Sequence, residues 1–315
     1  MGFTIMKNVR ENDTIQIEIT NACINNCANC TRFTSSAKSF FMDFDTFKNA
    51  VDSLVEFPFM TGMMGGEPLL HPEFEKFCEY ALSKIPRERL GLWTCLPVGY
   101  ENYREVIVNT FGNVFINDHS RQDIYHHPFL VASQDVIADE KELYYRVDSC
   151  EFQNNWSASI NPKGAYFCEM AASFAMLYES TSNGWEVEKD WWKRTTKDYT
   201  SQIEEFCKLC GGALFLNRRS SKDKETDISP TNKKLFEENH IYINSIDHSL
   251  QEVEACNQEP LAAYKDQEYR NHIASRYGIF LTTNKNGFNE PYLMNDINNK
   301  DSILSKFQRR YIIGK

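Results

Sequence analysis

Thr14-Ile15-Gln16-Ile17-Glu18-Ile19-Thr20-Asn21-Ala22-Cys23-Ile24-Asn25-Asn26-Cys27-Ala28-Asn29-Cys30 is the stretch from which the rest of the chain is read. Its first seven residues alternate polar and apolar side chains, the period of a β-strand with two unlike faces. Cys23, Cys27 and Cys30 then follow in C-x3-C-x2-C spacing, in an Asn-rich loop. Three thiols this close cannot all form local disulfides, and as thiolates they suit one soft metal centre. Structural zinc takes four protein ligands, and no fourth Cys or His lies nearby in sequence. Three cysteines on a cubane iron–sulfur cluster leave one iron without a protein ligand, open to a substrate or cofactor.

Beyond the loop, Asp43 to Leu54 has helical spacing, with Asp43 or Asp45 suited to cap its start. Pro58 to Met64 reads as a second buried strand ending at Gly65-Gly66-Glu67-Pro68. His71 to Lys84 is the next helix, Arg89 to Leu96 a third strand, Glu101 to Thr110 a third helix and Asn113 to Asn117 a fourth strand. Phe129 to Ile137 and Leu143 to Val147 are weaker strand candidates. Strand alternating with helix predicts an α/β fold on a parallel sheet, closed or half-closed, whose working edge lies at the carboxyl ends of the strands. The cysteine loop and the Gly-Gly-Glu turn both fall on that edge.

Composition narrows the class. The chain has 315 residues, 42% hydrophobic and 25% charged, which excludes wholesale disorder. Its net charge of −10 argues against holding nucleic acid by charge alone. No apolar run reaches the length of a membrane span. The first residues lack the apolar core of a signal peptide, and Met6 stands where a myristoylation signal needs Ser or Thr. A cytoplasmic protein is expected, with cysteines in a reducing compartment. Ten cysteines are too dilute for a disulfide-stapled scaffold.

The alternation stops near Cys150. Ser157 to Phe167 reads as a hairpin turning at Asn161-Pro162-Lys163-Gly164, followed by Cys168 and a helix from Glu169 to Glu179. Cys207 and Cys210 form a further pair. Arg218 to Thr231 has the composition of a linker or surface loop. The Asn-, Asp- and Lys-rich remainder gives no clear pattern.

The C-x3-C-x2-C loop after a strand, with Gly65-Gly66-Glu67-Pro68 at the end of the next strand, resembles the radical S-adenosylmethionine (SAM) enzymes over roughly residues 13 to 145. The resemblance implies a partial (β/α)6 barrel. It also implies a [4Fe–4S] cluster on Cys23, Cys27 and Cys30, with SAM chelating the fourth iron. Gly65, Gly66 and Glu67 would lie against the methionine part of SAM, and Asn117 to Ser120 would reach its ribose. Two departures stand out: Asn29 replaces the usual aromatic residue before the third cysteine, and Thr94-Cys95-Leu96 replaces a common Thr-Asn-Gly.

Cys150, Cys168, Cys207 and Cys210 resemble the auxiliary-cluster domains called SPASM or twitch, and four cysteines fit the shorter twitch form. A second [4Fe–4S] cluster, fully ligated by protein and relaying electrons, is implied; structural zinc competes, because C-x2-C serves both. This divides the chain into a radical SAM core (1–148), a small cysteine-rich α+β lobe (149–217) and a C-terminal extension (218–315). Cys78, Trp191-Trp192 and Phe40-Phe41 read as packing. His119, His126 and His127 read as structural or solvent-facing, and Arg218-Arg219 as a solvated loop.

The implied chemistry is reductive cleavage of SAM to a 5′-deoxyadenosyl radical, which abstracts hydrogen from an unactivated carbon. Epimerisation or dehydrogenation would follow, with Cys95 or Cys256 a candidate hydrogen-atom donor. A flavodoxin- or ferredoxin-type electron donor is the expected partner. Because few residues precede the first strand, a small polar substrate such as a sugar or aminocyclitol is favoured over a ribosomally made peptide. A non-catalytic zinc or iron–sulfur protein is the alternative of a different class.

Overall fold

The computed structural model describes residues 5–117, 124–243 and 248–253 in full, and residues 279–284, 287–288 and 292–293 as backbone strands. Cys256 and His119, with residues 118–120 of the expected ribose contact, lie outside the described residues.

The first half follows the expected alternation. It runs β1 (Thr14–Thr20), α1 (Phe44–Ser53), β2 (Met60–Gly65), α2 (Phe74–Lys84), β3 (Leu90–Thr94), α3 (Arg104–Thr110) and β4 (Asn113–Ile116). These four strands pair in parallel, each with the next. Asp43 caps α1 as expected, its carboxylate accepting from the N–H groups of Asp45 and Thr46.

The rest departs from six β/α repeats. After the short β5 (Tyr125–His126), the two weaker strand candidates are helical instead. Phe129 to Ile137 contains α4 (Ser133–Val136), and Leu143 to Val147 lies inside α5 (Glu140–Asp148). Asp139 caps α5 by accepting from the Glu142 N–H, and Leu143, Tyr144 and Val147 recur at helical rather than strand spacing on its buried side. After α6 (Glu151–Asn155) comes the expected hairpin, β6 (Ala158–Asn161) and β7 (Gly164–Tyr166). At its turn, Asn161 Oδ1 accepts from the Lys163 N–H at 2.8 Å, and Gly164 takes φ +125°, a conformation that favours glycine. β6 adds to the free side of β1 in parallel, so the hairpin continues the core sheet.

Helix α7 (Glu169–Leu177) follows Cys168, and α8 (Thr200–Gln202) runs into a π-helical turn over Ile203–Cys207. Residues 218 to 231, expected as a linker, instead carry β8 (Arg219–Ser220), β9 (Glu225–Ile228) and the start of α9 (Pro230–Glu238). β8 pairs with β5, and β10 (Ser249–Glu252) pairs with β9. β11 (Ile279–Asn284) joins β4 antiparallel and carries β12 (Gly287–Phe288) and β13 (Tyr292–Leu293), giving a mixed nine-stranded sheet.

The sheet has two unlike faces, as its alternation requires. Ile15, Ile17, Ile19, Met63, Leu92 and Val114 are buried in one core with Phe47, Phe77 and Ile107 of the helices. Phe47 and Phe77 stack at 4.0 Å across α1 and α2, and each such buried side chain contributes roughly 1.5–3 kcal/mol of transfer free energy. Cys78 and Trp191 belong to the same core, as expected. The opposite face of β1 carries Thr14, Gln16 and Glu18, and this polar face holds the site. No helix among the described residues is long and apolar enough to cross a membrane.

Candidate metal and cofactor site

A cavity of about 290 Å³ opens over the polar face at the carboxyl ends of the strands. Cys23, Cys27 and Cys30 line it together with Gly65, Gly66, Cys95 and Asn117. Residues assigned to one site from sequence therefore share one cavity; Glu67 does not face it.

Two sulfurs of the loop accept hydrogen bonds. The Asn25 backbone N–H donates to Cys23 Sγ at 3.4 Å, and the Thr34 hydroxyl donates to Cys30 Sγ at 3.4 Å. Donors aimed at sulfur stabilise thiolates and tune a bound cluster. Burial alone works the other way, pushing the Cys23 thiol up to about 12, with Cys30 and Glu67 adding to the rise. Metal binding at such a set must release protons. Among the described residues no three His, Cys, Asp or Glu side chains stand where a single ion would hold them all.

The Gly-Gly turn is dictated by backbone contact with the end of β1. The Gly66 N–H donates to Thr20 O, and the Glu67 N–H to Ala22 O, both at 2.8 Å. A Cβ on Gly65 would meet Thr20 O at 1.8 Å, and one on Gly66 would meet Ala22 O at 2.4 Å. The two glycines thus lock the exits of β1 and β2 together while also lining the cavity.

Glu67 differs from expectation. Its carboxylate is fully buried and accepts from the Thr94 hydroxyl at 2.7 Å, the Cys95 N–H at 2.8 Å and the Leu69 N–H at 3.1 Å. Burial raises its pKa, against these bonds. A carboxylate so occupied ties the end of β3 to the Gly-Gly turn, leaving the cavity edge to the backbone. Cys95 is carried to the cavity by the same contact. Its sulfur receives the Asn25 side-chain amide at 3.6 Å. Burial, then the Glu67 charge, pushes its thiol well up, so it is held as S–H.

Asn29 departs from the aromatic pattern for a reason visible in the fold. It takes φ +48°, a conformation Asn tolerates better than bulky residues. Its side chain faces β9, exchanging bonds with Asp227 at 2.7 and 2.8 Å. Arg219, expected in a solvated loop, pairs with that same Asp227. His126, expected to be structural or solvent-facing, is buried, with Nδ1 bonded to Ala28 O at 2.8 Å.

Sequence reasoning missed a buried ionic group beside the cysteines. The Arg32 guanidinium pairs with Glu18 and Glu169 and donates to Ser173 Oγ at 2.7 Å. Burial opposes its charge, but the two carboxylates more than offset that. Arg32 follows Cys30 by two residues and Glu169 directly follows Cys168, so the pair connects the two cysteine sets. The available signal was Glu18, the one charged residue of the strand Thr14–Thr20.

The second set converges as well. Cys150, Cys168, Cys207 and Cys210 line one small apolar cavity. Cys150 and Cys210 flank Gly212, the first donating to its carbonyl at 3.4 Å and the second accepting its N–H at 3.3 Å. A Cβ on Gly212 would lie 3.3 Å from Cys210 Sγ and 3.5 Å from Cys150 Sγ. Burial pushes the Cys150 thiol up to about 11. Cys207 closes the π-helical turn, a distortion common at functional sites.

No family model matches the chain, and no curated protein matches it. Solved structures do. The crystal structure of BtrN in complex with AdoMet and 2-DOIA is similar with TM-score 0.44 and 16% identity, over 66% of this chain and 96% of that one. BtrN in an open conformation is similar with TM-score 0.39 and 17% identity, over 64% of this chain and 87% of that one. A His-tagged anSMEcpe with bound AdoMet is similar with TM-score 0.21 and 12% identity, over 78% of this chain and 51% of that one.

Proposed function

We propose that the chain is a radical SAM enzyme with two [4Fe–4S] centres, acting on a small polar substrate. The observation that carries this reading is the shared cavity of Cys23, Cys27, Cys30, Gly65 and Gly66 at the carboxyl edge of a parallel sheet. The donor set fits a cubane better than a zinc ion. Zinc draws its ligands to one point at about 2.0–2.3 Å, whereas a cubane spreads its thiolates over separate irons. The sulfur-directed N–H and O–H groups suit thiolates in either set.

When bound, the first cluster would supply the electron that cleaves SAM to methionine and a 5′-deoxyadenosyl radical. The protein's own residues do the rest. The Gly-Gly turn presents bare backbone to the ligand, since no side chain fits there. Glu67 fixes the end of β3 and so places Cys95 on the cavity wall. Cys95, held as S–H, is the hydrogen-atom donor we assign for an epimerisation outcome; dehydrogenation would instead pass the electron to the second centre. Cys256 is the other proposed donor. The site would be served by a flavodoxin- or ferredoxin-type reductant.

Anaerobic reconstitution with iron and sulfide counting tests the reading. About eight irons per chain are expected for two cubanes, and about four for the first alone. Zinc without iron contradicts it. Turnover in deuterated water separates the outcomes: solvent deuterium at one inverted carbon marks epimerisation, and a two-electron-oxidised product marks dehydrogenation.

A further inference from the structure

The polar face of the sheet carries a feature that neither cysteine set explains. Gly62 of β2 stands beside Gly91 of β3 in the register, with Gln16 of β1 on the other side of Gly62. Two adjacent glycines in strand interiors leave a notch. The Trp93 indole and the Met60 side chain fill it: a Cβ on Gly62 would fall 2.3 Å from Trp93 Cζ3, and one on Gly91 2.7 Å from Met60 Sδ and 3.0 Å from Trp93 Cζ3. Phe115 of β4 braces the indole by stacking at 4.0 Å and 10°. A large flat aromatic is thus set into a polar sheet face, and it lines the cavity rather than the core.

Gln16 lines the same cavity and is 4% exposed, yet its Oε1 has no hydrogen-bond partner. Its polar neighbours are differently placed. Glu18 bonds Arg32 and Ser159, and Glu169 bonds Arg32 and Ser157. Both carboxylates of that network are paired, and only Arg32 Nε in it lacks a partner; a buried acceptor left open on the cavity wall is a binding group in waiting.

We propose that Gln16 and Trp93 form the substrate-reading floor of the cavity, taking a small saturated ring that carries hydroxyl or amino groups. The indole covers the ring's C–H face, and the Gln16 carboxamide receives an O–H or N–H from its rim. This rests on the reading of the cavity as the radical SAM site and names residues that select its substrate.

The test uses the full iron-loaded chain with SAM and calorimetric titration of three probes: 2-deoxystreptamine, myo-inositol and glucosamine. At least one is expected to bind, and Gln16→Leu and Trp93→Phe should each weaken it by about tenfold, the value of one hydrogen bond or aromatic contact. SAM affinity should be unchanged. Gln16→Leu removes a buried amide whose Oε1 has no partner, so its Tm should equal or exceed that of the parent chain. Three results overturn the proposal: no probe binding, probe binding indifferent to both substitutions, or weakened SAM binding in the variants. A lowered Tm in Gln16→Leu also counts against it, by giving Gln16 a structural partner. SAM cleavage without any probe reports separately on the parent reading, so the two can fail independently.

Discussion

Asn29 and Asp227, 198 positions apart, hold each other by two hydrogen bonds: Asn29 Nδ2 donates to the Asp227 carboxylate at 2.7 Å, and the Asp227 N–H donates to Asn29 Oδ1 at 2.8 Å. The Ala28 N–H also donates to Ser221 O at 3.1 Å. The loop that carries Cys27 and Cys30 is therefore clamped from outside by β9 and the turn after β8.

Asp227→Ala should loosen that clamp. It strands the buried Asn29 side-chain amide and leaves Arg219 only its more exposed partners Glu225 and Asp223, and it is expected to cost about 1–3 kcal/mol of stability. Urea unfolding of the metal-free chain reads the loss. Release of iron to a chelator from the reconstituted protein should be faster than in the parent, while Asp223→Ala, at a more exposed partner of Arg219, should change neither.

Gly212→Ala should separate the two cysteine sets. The added methyl would sit within 3.3–3.5 Å of two thiols of the second set and nowhere near the first. The expected result is a fall from about eight irons to about four per chain, with SAM binding retained. Iron and sulfide analysis with SAM titration checks both halves.

Acid should destabilise the fold partly through His127. Burial lowers its pKa from 6.5 to about 3, against a hydrogen bond to Gly211 O. The unfolded chain therefore takes up a proton that the folded chain refuses between those values. Stability from this group is complete above pH 6.5 and is lost as pH falls toward 3, at up to about 1.4 kcal/mol per pH unit. Buried Glu18, Glu67 and Glu169 have raised values and act with the opposite sign, losing stability as pH rises above 4.5. His127→Gln, which can still donate to Gly211, isolates the histidine: its denaturation midpoint should fall less steeply between pH 6.5 and 5 than that of the parent chain.

How much of this was legible in sequence depends on the range of the interaction. The alternation in residues 14–20 and the spacing of Cys23, Cys27 and Cys30 are local, and they placed β1 and the loop correctly. The hairpin was legible because Asn161 and Gly164 write their turn chemistry into adjacent positions. Asn29 was not, because its partner lies in β9, within a stretch whose Ser, Lys and Asp content reads as linker. Within it, the Asp227 side chain bonds both Arg219 and Asn29 of the cysteine loop. Phe129 to Ile137 and Leu143 to Val147 read as weaker strand candidates because short apolar runs suit either period, yet they hold α4 and part of α5. Gly62 and Gly91 have no meaning until β2 and β3 are paired and Trp93 is seen to cross them. Glu67 was placed against SAM by the resemblance of its Gly-Gly-Glu turn; its bonds to Thr94 and Cys95 depend on a neighbouring strand.

The proposed function turns on reductive cleavage of SAM in the cavity bounded by Cys23, Cys27 and Cys30. The most direct measurement is 5′-deoxyadenosine formation from SAM by the anaerobically reconstituted, dithionite-reduced chain. Formation is expected from the parent chain and from Cys207→Ala, and none from Cys27→Ala. Formation that persists in Cys27→Ala, or its absence from a parent chain loaded with iron and sulfide, would contradict the proposed function.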